Sequence, residues 1–239
     1  RLHDALADAF ELSAPPERSE VYDNSHIQGA HPVGAMIVAG PDGFQKNQYR
    51  KFNMTAEDAG DDFAMMRAML TRRFARLVKD SAEETSRPAN PEGGVDFSKD
   101  DAGETRAPAK PDLVLIDGAE GQLSAARAVL VSFNLQDSIA LVAIAKGPDR
   151  DAGRERFFMH GRAPVLIDQK SPVMYYLQRL RDEAHRFVIG AHRAKRSAAI
   201  VQNPLDDIDG VGPTRKKALL ARVWGPQGGG RGAGGGQVP

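Results

Sequence analysis

The sequence contains no cysteine among its 239 residues. Disulfide bonds and thiolate metal sites are therefore excluded, which is compatible with a reducing, intracellular setting. No apolar run approaches the roughly 18 residues that span a membrane, and no secretory signal peptide is visible. Neither sign of charge is in excess, because Lys and Arg number 32 and Asp and Glu also number 32. With 41% hydrophobic residues, the chain can still bury a sizeable core.

The order of apolar patterns predicts an α/β domain built on a mixed sheet. Three β-rich stretches come first (20–27, 33–40 and 44–54), and short turns between them indicate an antiparallel meander. An amphipathic helix over 61–80 follows, and then a strand at 113–117, a helix at 121–133 and a strand at 139–147. A hairpin over 156–167 and a long helix from Pro172 to about Ser197 complete the pattern. This order favours helices on both faces of the sheet.

Segments of different composition flank and interrupt this domain, which we place at 19–200. Residues 1–18 are predicted to be a linker with a short helix around Ala5–Leu12, and 81–111 a disordered acidic insertion. A small helical hairpin is predicted at 201–224, and the Gly-rich tail 225–239 is predicted to be disordered. The chain opens on Arg1 without a Met, so we expect a piece of a longer protein.

Charge is unevenly distributed along the chain. Residues 171–222 hold ten Lys/Arg and five Asp/Glu, whereas residues 80–112 hold four Lys/Arg and nine Asp/Glu. The basic part covers the last long helix, including Arg181, and the hairpin segment. It predicts a nucleic-acid-binding surface of modest strength.

Two carboxylates stand on predicted strands. Asp117 ends the apolar run Leu113–Ile116, at the end of a strand where α/β sheets gather their ligands. Asp-Gly is also a common turn pair, so Asp117 alone fits a turn at least as well. Asp23 lies in the first strand, where a buried unpaired charge costs free energy. It is either part of a site or close to an exposed strand end.

Two further candidates stand on helices. Asp62 begins the first long helix, where an acid also stabilises the helix dipole. His185 lies on a polar flank of the long helix that starts at Pro172 and, taken alone, fits an exposed histidine better. A mixed sheet can bring these four side chains to one edge. Carboxylates that converge repel unless a cation lies among them, and oxygen ligands with one imidazole suit Mg²⁺ or Mn²⁺. Such a metal on a basic surface predicts phosphodiester hydrolysis.

The turn GVGP at 210–213 is a separate signal. Its glycines allow backbone N–H groups to approach a phosphate closely, and the following helix end favours an anion. An ordinary helix–helix turn remains the alternative. The predicted DNA-binding residues are Gly210, Gly212, Thr214, Arg215, Lys216 and Lys217, together with Arg181 on the preceding helix.

Several long segments, in order, resemble one known family. They are VYDNSHIQG, NQYRKFNM, GDDFAMMRAMLTRRF, DLVLIDGAEGQL, VAIAKG and SPVMYYLQRLRDEAHRFVIGAHRAKRS. Together they resemble the carboxyl-terminal half of UvrC, the incision subunit of bacterial nucleotide-excision repair, over about residues 10–222. The resemblance implies a ribonuclease H-like endonuclease domain followed by helix–hairpin–helix motifs. It also implies a cytoplasmic, metal-dependent enzyme that cuts damaged double-stranded DNA on the 5′ side of a lesion.

The resemblance also implies roles for particular residues. Asp23, Asp117 and His185 match the family's Asp-Asp-His metal group for Mg²⁺ or Mn²⁺, and Asp62 matches a further acidic position. His185 would be a ligand or a proton-transfer group. The partner implied for the full-length protein is the UvrB–DNA complex, and we expect the UvrB-contacting segment to lie outside this chain.

Two departures from the family pattern keep an alternative open. Ala119 and Glu120 stand where family members often carry Gly followed by Lys or Gln, and Glu120 adds negative charge beside the site. Only the first helix–hairpin–helix motif is recognisable. A DNA-binding fragment without nuclease activity is therefore the second hypothesis.

Overall fold

The computed structural model describes residues 1–25, 32–55, 60–86, 109–145 and 155–201, with side chains described up to 82 in the third range and up to 191 in the last. The chain divides into two units, Arg1–Arg193 and Ala194–Pro239. The whole described sheet lies in the first unit. No helix in the described part is long and apolar enough to cross a membrane.

A seven-stranded mixed sheet organises the first unit. Its strands are β1 (Ser19–Ser25), β2 (Val33–Gly40), β3 (Gly43–Phe44), β4 (Arg50–Asn53), β5 (Leu113–Asp117), β6 (Ala140–Ala145) and β7 (Arg156–Phe158). They lie in the order β3-β2-β1-β5-β6-β7, and β4 also pairs with β2. The central strands β1, β5 and β6 are parallel, whereas the outer pairings are antiparallel. The predicted meander followed by parallel strands is confirmed.

Helices cover both faces of this sheet, as predicted. Helices α2 (Asp62–Ser86) and α3 (Glu120–Ser132) pack on one face, against Tyr22 and Ile116 among others. Helices α1 (Leu2–Phe10) and α4 (Pro172–Val201) lie on the other face, which carries Val21 and Leu115. Alternate residues of each central strand therefore point to opposite helical layers. Asp23 and Asp117, two residues beyond Val21 and Leu115, fall on the α4 side.

A buried polar network joins α2 to β1. Arg73 of α2 donates from Nη2 to Oε1 of Glu20 at 2.8 Å, and both side chains are almost wholly buried. Arg18 pairs with the same carboxylate at 2.9 Å, and the hydroxyl of Tyr22 donates to it at 2.6 Å. Burial and the adjacent Glu20 charge raise the pKa of Tyr22 well above its usual value. The network fixes α2 to the strand that carries Asp23.

Three segments differ from the predictions. Helix α2 continues to Ser86, so the first residues of the predicted disordered insertion 81–111 are helical. Near the carboxyl end of this predicted insertion, the carbonyl of Ala109 accepts a hydrogen bond from Nη2 of Arg73 at 2.9 Å. Residues 87–108 lie outside the described residues. The predicted linker 1–18 contributes to the core, because Leu6 and Phe10 of α1 are fully buried against the sheet. The predicted strand 44–54 is interrupted by a 3₁₀ turn at Lys46–Gln48.

Candidate active site

Asp23 and Asp117 lie side by side at the carboxyl ends of two parallel strands. Tyr22 of β1 pairs with Ile116 of β5, so the next residue of each strand continues the same register. Asp23 is 6% exposed and Asp117 is half-buried. The apolar run before Asp117 is buried throughout, and it fixes this carboxylate at the sheet edge. A role in a turn alone would not explain why Asp117 lies beside a second carboxylate, that of Asp23 on β1.

His185 reaches this pair from α4. Its Nδ1 lies 3.0 Å from Oδ2 of Asp23. The imidazole is 61% exposed, whereas the Asp23 side chain is only 8% exposed. One ring nitrogen therefore engages a buried carboxylate while much of the ring faces solvent. A carboxylate that is hydrogen-bonded to one ring nitrogen orients the imidazole and leaves the other nitrogen available for chemistry.

The electrostatics of Asp23 reflect its burial and the nearby charge of Asp117. Burial and the charge of Asp117 raise its pKa to about 6, although the bond from His185 acts in the opposite direction. Two acids that would ionise fully in water are thus held where their charges oppose each other. Active sites commonly hold carboxylates in this costly arrangement.

Asp62 lies at the same edge, on the opposite side of the sheet. Its carbonyl accepts a hydrogen bond from the Asn24 side chain at 3.1 Å, which ties the start of α2 to the residue after Asp23. Its side chain is exposed, as is that of Asp61. Asp61 caps the helix, because its Oδ1 accepts a hydrogen bond from the Ala64 amide at 2.6 Å. A role for the Asp62 side chain at the site stays a prediction.

Glu120 is the first residue of α3 and is exposed. An acid in a first helical turn is stabilised by the helix dipole, so Glu120 has a structural reason to stand there. The preceding Gly118 has φ 156°, and a Cβ at this position would lie 2.7 Å from the Gln122 side chain. Gly118 therefore lets the chain turn from Asp117 into α3, which begins at Glu120.

The described residues contain no cluster of three or more His, Cys, Asp or Glu side chains that could hold a metal ion. Asp23 and Asp117 nevertheless suit a hard divalent cation, since both offer oxygens and their mutual repulsion would be relieved by it. The parallel pairing that puts Asp117 beside Asp23 supports this fit, and the raised pKa of Asp23 agrees with it.

The predicted DNA-binding residues have mixed outcomes. Arg181 lies against the protein, with its side chain 15% exposed and its Nη1 3.3 Å from Oε1 of Glu155. Its contact with DNA stays a prediction. The hairpin residues Gly210, Gly212, Thr214, Arg215, Lys216 and Lys217 lie outside the described residues.

Sequence reasoning missed Asn24 and Glu155. Asn24 follows Asp23 directly, and only the contact with α2 shows that it joins two elements of the site. Glu155 stands in a charged run, RERFF, that reads as a solvated segment, yet it is 3% exposed. No sequence signal separates Glu155 from an exposed carboxylate.

Comparison with known proteins identifies close relatives of the chain. The family model of the UvrC RNAse H endonuclease domain matches residues 7–189. UvrABC system protein C of Caulobacter vibrioides is 56% identical over 228 residues, which are 95% of this chain and 32% of that protein. The protein of the same name from Brucella abortus strain 2308 is 53% identical over 92% of this chain and 34% of its own length. The chain thus spans about a third of these relatives.

Solved structures are much less similar to this chain. Ciona intestinalis endonuclease V, in complex with a 23mer DNA containing an inosine, aligns over 61% of this chain and 56% of its own, at 10% identity and a TM-score of 0.32. Human ENDOV aligns over 55% and 46%, at 11% identity and a TM-score of 0.29. Scores this low carry no argument about function.

Proposed function

Because this chain belongs to the UvrC family and contains its RNase H endonuclease domain, we propose that it hydrolyses one phosphodiester bond of damaged DNA. The cut is the incision on the 5′ side of a lesion in nucleotide-excision repair. The observation that carries the proposal is the Asp23–His185 contact beside Asp117, at the carboxyl ends of two parallel strands.

A divalent cation, Mg²⁺ or Mn²⁺, would be held by the carboxylates of Asp23 and Asp117. When bound, it would polarise the phosphodiester and favour ionisation of the attacking water. Asp23 and Asp117 are supported as its ligands by their adjacency and by their oxygen donors, and the raised pKa of Asp23 agrees with this role.

His185 would transfer a proton at Nε2. Nδ1 is occupied by Asp23, so Nε2 is the nitrogen left to meet substrate on the exposed side of the ring. A positioned imidazole of this kind contributes roughly 10²- to 10⁴-fold to a rate. Direct ligation of the cation by His185 is the other role open to it. Asp62, at the start of α2, would help to place the cation or the attacking water.

DNA contact is also proposed for the basic segment that follows α4 in the sequence. Phosphate contacts would come from the turn GVGP, through Gly210, Gly212 and Thr214, and from Arg215, Lys216 and Lys217. In the full-length protein the substrate would be DNA already bound by UvrB.

The test compares nicking of lesion-bearing duplex DNA by the wild-type chain and by Asp117→Ala, with Mg²⁺ and with Mn²⁺. Asp117→Ala should abolish nicking while circular dichroism shows the fold retained. Asp137→Ala is the matched control, because Asp137 is an exposed acid that follows α3. Nicking by Asp117→Ala at the wild-type rate would refute the proposed site.

A DNA-binding fragment without nuclease activity is the second candidate. It is favoured by the lack of a three-ligand group among the described residues and by the negative charge of Glu120 near the site. Salt-dependent DNA binding without nicking in any divalent metal would support it. Metal-dependent nicking that is lost in Asp23→Asn would reject it.

A further inference from the structure

Arg181 and His185 lie one helical turn apart on α4, and both face the sheet. Residues four positions apart are neighbours on a helix surface. His185 meets Asp23 at 3.0 Å, while Nη1 of Arg181 lies 3.3 Å from Oε1 of Glu155. Two successive turns of the same helix therefore engage two buried carboxylates.

Glu155 lies at the same edge of the sheet as the candidate active site. It directly precedes β7, whose Arg156 pairs with Ala145, and the preceding residue of β6, Ile144, pairs with Asp117. Glu155 therefore lies beyond the carboxyl end of β6. Its side chain is 2% exposed and also meets Nε2 of Gln178, at 3.4 and 3.5 Å. One carboxylate thus engages two turns of α4.

We propose that the Glu155–Arg181 ion pair is a positioning device that sets α4 so that His185 meets Asp23. A charge pair with side chains only 2% and 15% exposed is held by electrostatic interactions that water screens weakly. Because a helix moves nearly as a rigid body over one turn, a shift at Arg181 is passed on to His185. The expected effect on DNA incision rests on the proposed function, whereas the placement of the His185 ring does not.

This role differs from direct contact between Arg181 and DNA. A phosphate contact would make Arg181 contribute to DNA affinity and to its salt dependence. A positioning pair acts on the turnover rate, because misplacing a catalytic group by about 1 Å can cost roughly 10²-fold. It also predicts that removing either partner has the same effect on His185.

The test uses four variants of the whole chain: Arg181→Met, Glu155→Gln, the double variant that combines them, and Arg179→Met. Arg179→Met is the matched control, since it removes the same charge from an exposed position on the same helix. The double variant guards against unfolding, because it removes both charges of the pair rather than only one. Glu155→Gln keeps the size of the side chain and is the mildest change.

The first measurement is the ¹⁵N and ¹H NMR signature of the His185 ring without metal or DNA, assigned by its absence from His185→Gln. Glu155→Gln and the double variant should lose the signature of the Nδ1–Asp23 hydrogen bond, whereas Arg179→Met should retain it. An unchanged signature in both would overturn the proposal, whether or not the protein cuts DNA.

The second measurement separates binding from turnover on lesion-bearing DNA. We expect kcat to fall by about 10- to 100-fold in Glu155→Gln and in the double variant, with a Kd for DNA within about twofold of that of Arg179→Met. If Arg181→Met alone binds DNA more weakly, with a smaller dependence of DNA affinity on salt and a normal kcat, then Arg181 contacts DNA instead. Loss of the NMR signature with no nicking by the wild type would leave positioning supported and reject the proposed function.

Discussion

Nδ1 of His185 lies 3.0 Å from Oδ2 of Asp23, although 162 positions separate the two residues in the chain. The contact joins α4 to β1 across the face of the sheet. It places a solvent-facing imidazole beside a buried carboxylate whose neighbour is another carboxylate.

His185→Gln should remove activity and spare the fold. Glutamine can still donate a hydrogen bond to Asp23, but it cannot transfer a proton near neutral pH. Incision should therefore fall by at least about 100-fold. Since the wild-type side chain is 61% exposed, the free energy of unfolding should change by less than about 0.5 kcal/mol in urea titration. A variant that cuts at the wild-type rate would remove His185 from the chemistry.

Asp23 should make the metal-free protein less stable as pH rises. Its folded-state pKa is raised from 3.8 to about 6, so between these values the native state binds more protons than the unfolded state. Its contribution to stability is therefore present at low pH and is lost as pH rises through about 6. A shift of this size corresponds to about 3 kcal/mol.

Asp23→Asn should cancel that loss. In EDTA, its unfolding free energy relative to wild type should rise between pH 4 and pH 8 by up to about 3 kcal/mol, measured by urea unfolding at each pH. Asp62→Asn is the control, because Asp62 is exposed. If the difference in unfolding free energy between wild type and Asp23→Asn does not change with pH, ionisation of Asp23 does not destabilise the folded protein.

Gly34→Ala should loosen the contact between α2 and the sheet. Gly34 of β2 pairs with Asn24, and a Cβ there would lie 2.0 Å from the sulfur of Met69, which is fully buried. Overpacking of this kind costs about 1–3 kcal/mol. Thermal unfolding should show the loss.

Gly190→Ala is the matched control, because a Cβ at this helical glycine meets nothing within 4 Å. It should stabilise the protein by about 0.5–1 kcal/mol. Equal effects of the two substitutions would contradict the packing described for Gly34.

Arg73→Met should destabilise the protein without touching the active site directly. It removes the bidentate partner of the buried Glu20, and breaking a buried pair typically costs about 3–5 kcal/mol. Because Arg18 stays beside Glu20, we expect the lower end of this range in urea unfolding. Adding Glu20→Gln should recover part of the loss; a further loss of similar size would show that the two residues act independently.

Much of the fold follows from apolar periodicity in the sequence. The runs at 33–40 and 113–117 coincide with β2 and β5, since both strands are buried on two sides and carry continuous apolar residues. Helix α3 begins one residue before the predicted start, where Gly118 allows a turn. The end of α2 was misplaced because its last turns are polar and carry no apolar stripe.

The candidate site was only partly readable from the chain. Asp117 and Asp23 follow or interrupt apolar strands, which marks them, but their adjacency depends on the parallel pairing of β1 with β5 across a long stretch of sequence. His185 has the helical position of an exposed residue, and only the packing of α4 brings it to Asp23. Glu155 could not be found, because a buried carboxylate and an exposed one look alike until their partners are known.

The central claim is that Asp23 and Asp117 share one divalent cation. The most direct measurement is anomalous diffraction at the manganese edge from crystals of the chain soaked in Mn²⁺. The account predicts a single strong peak about 2.0–2.6 Å from a carboxylate oxygen of each residue. No peak between them, or manganese bound only elsewhere while nicking persists, would contradict it.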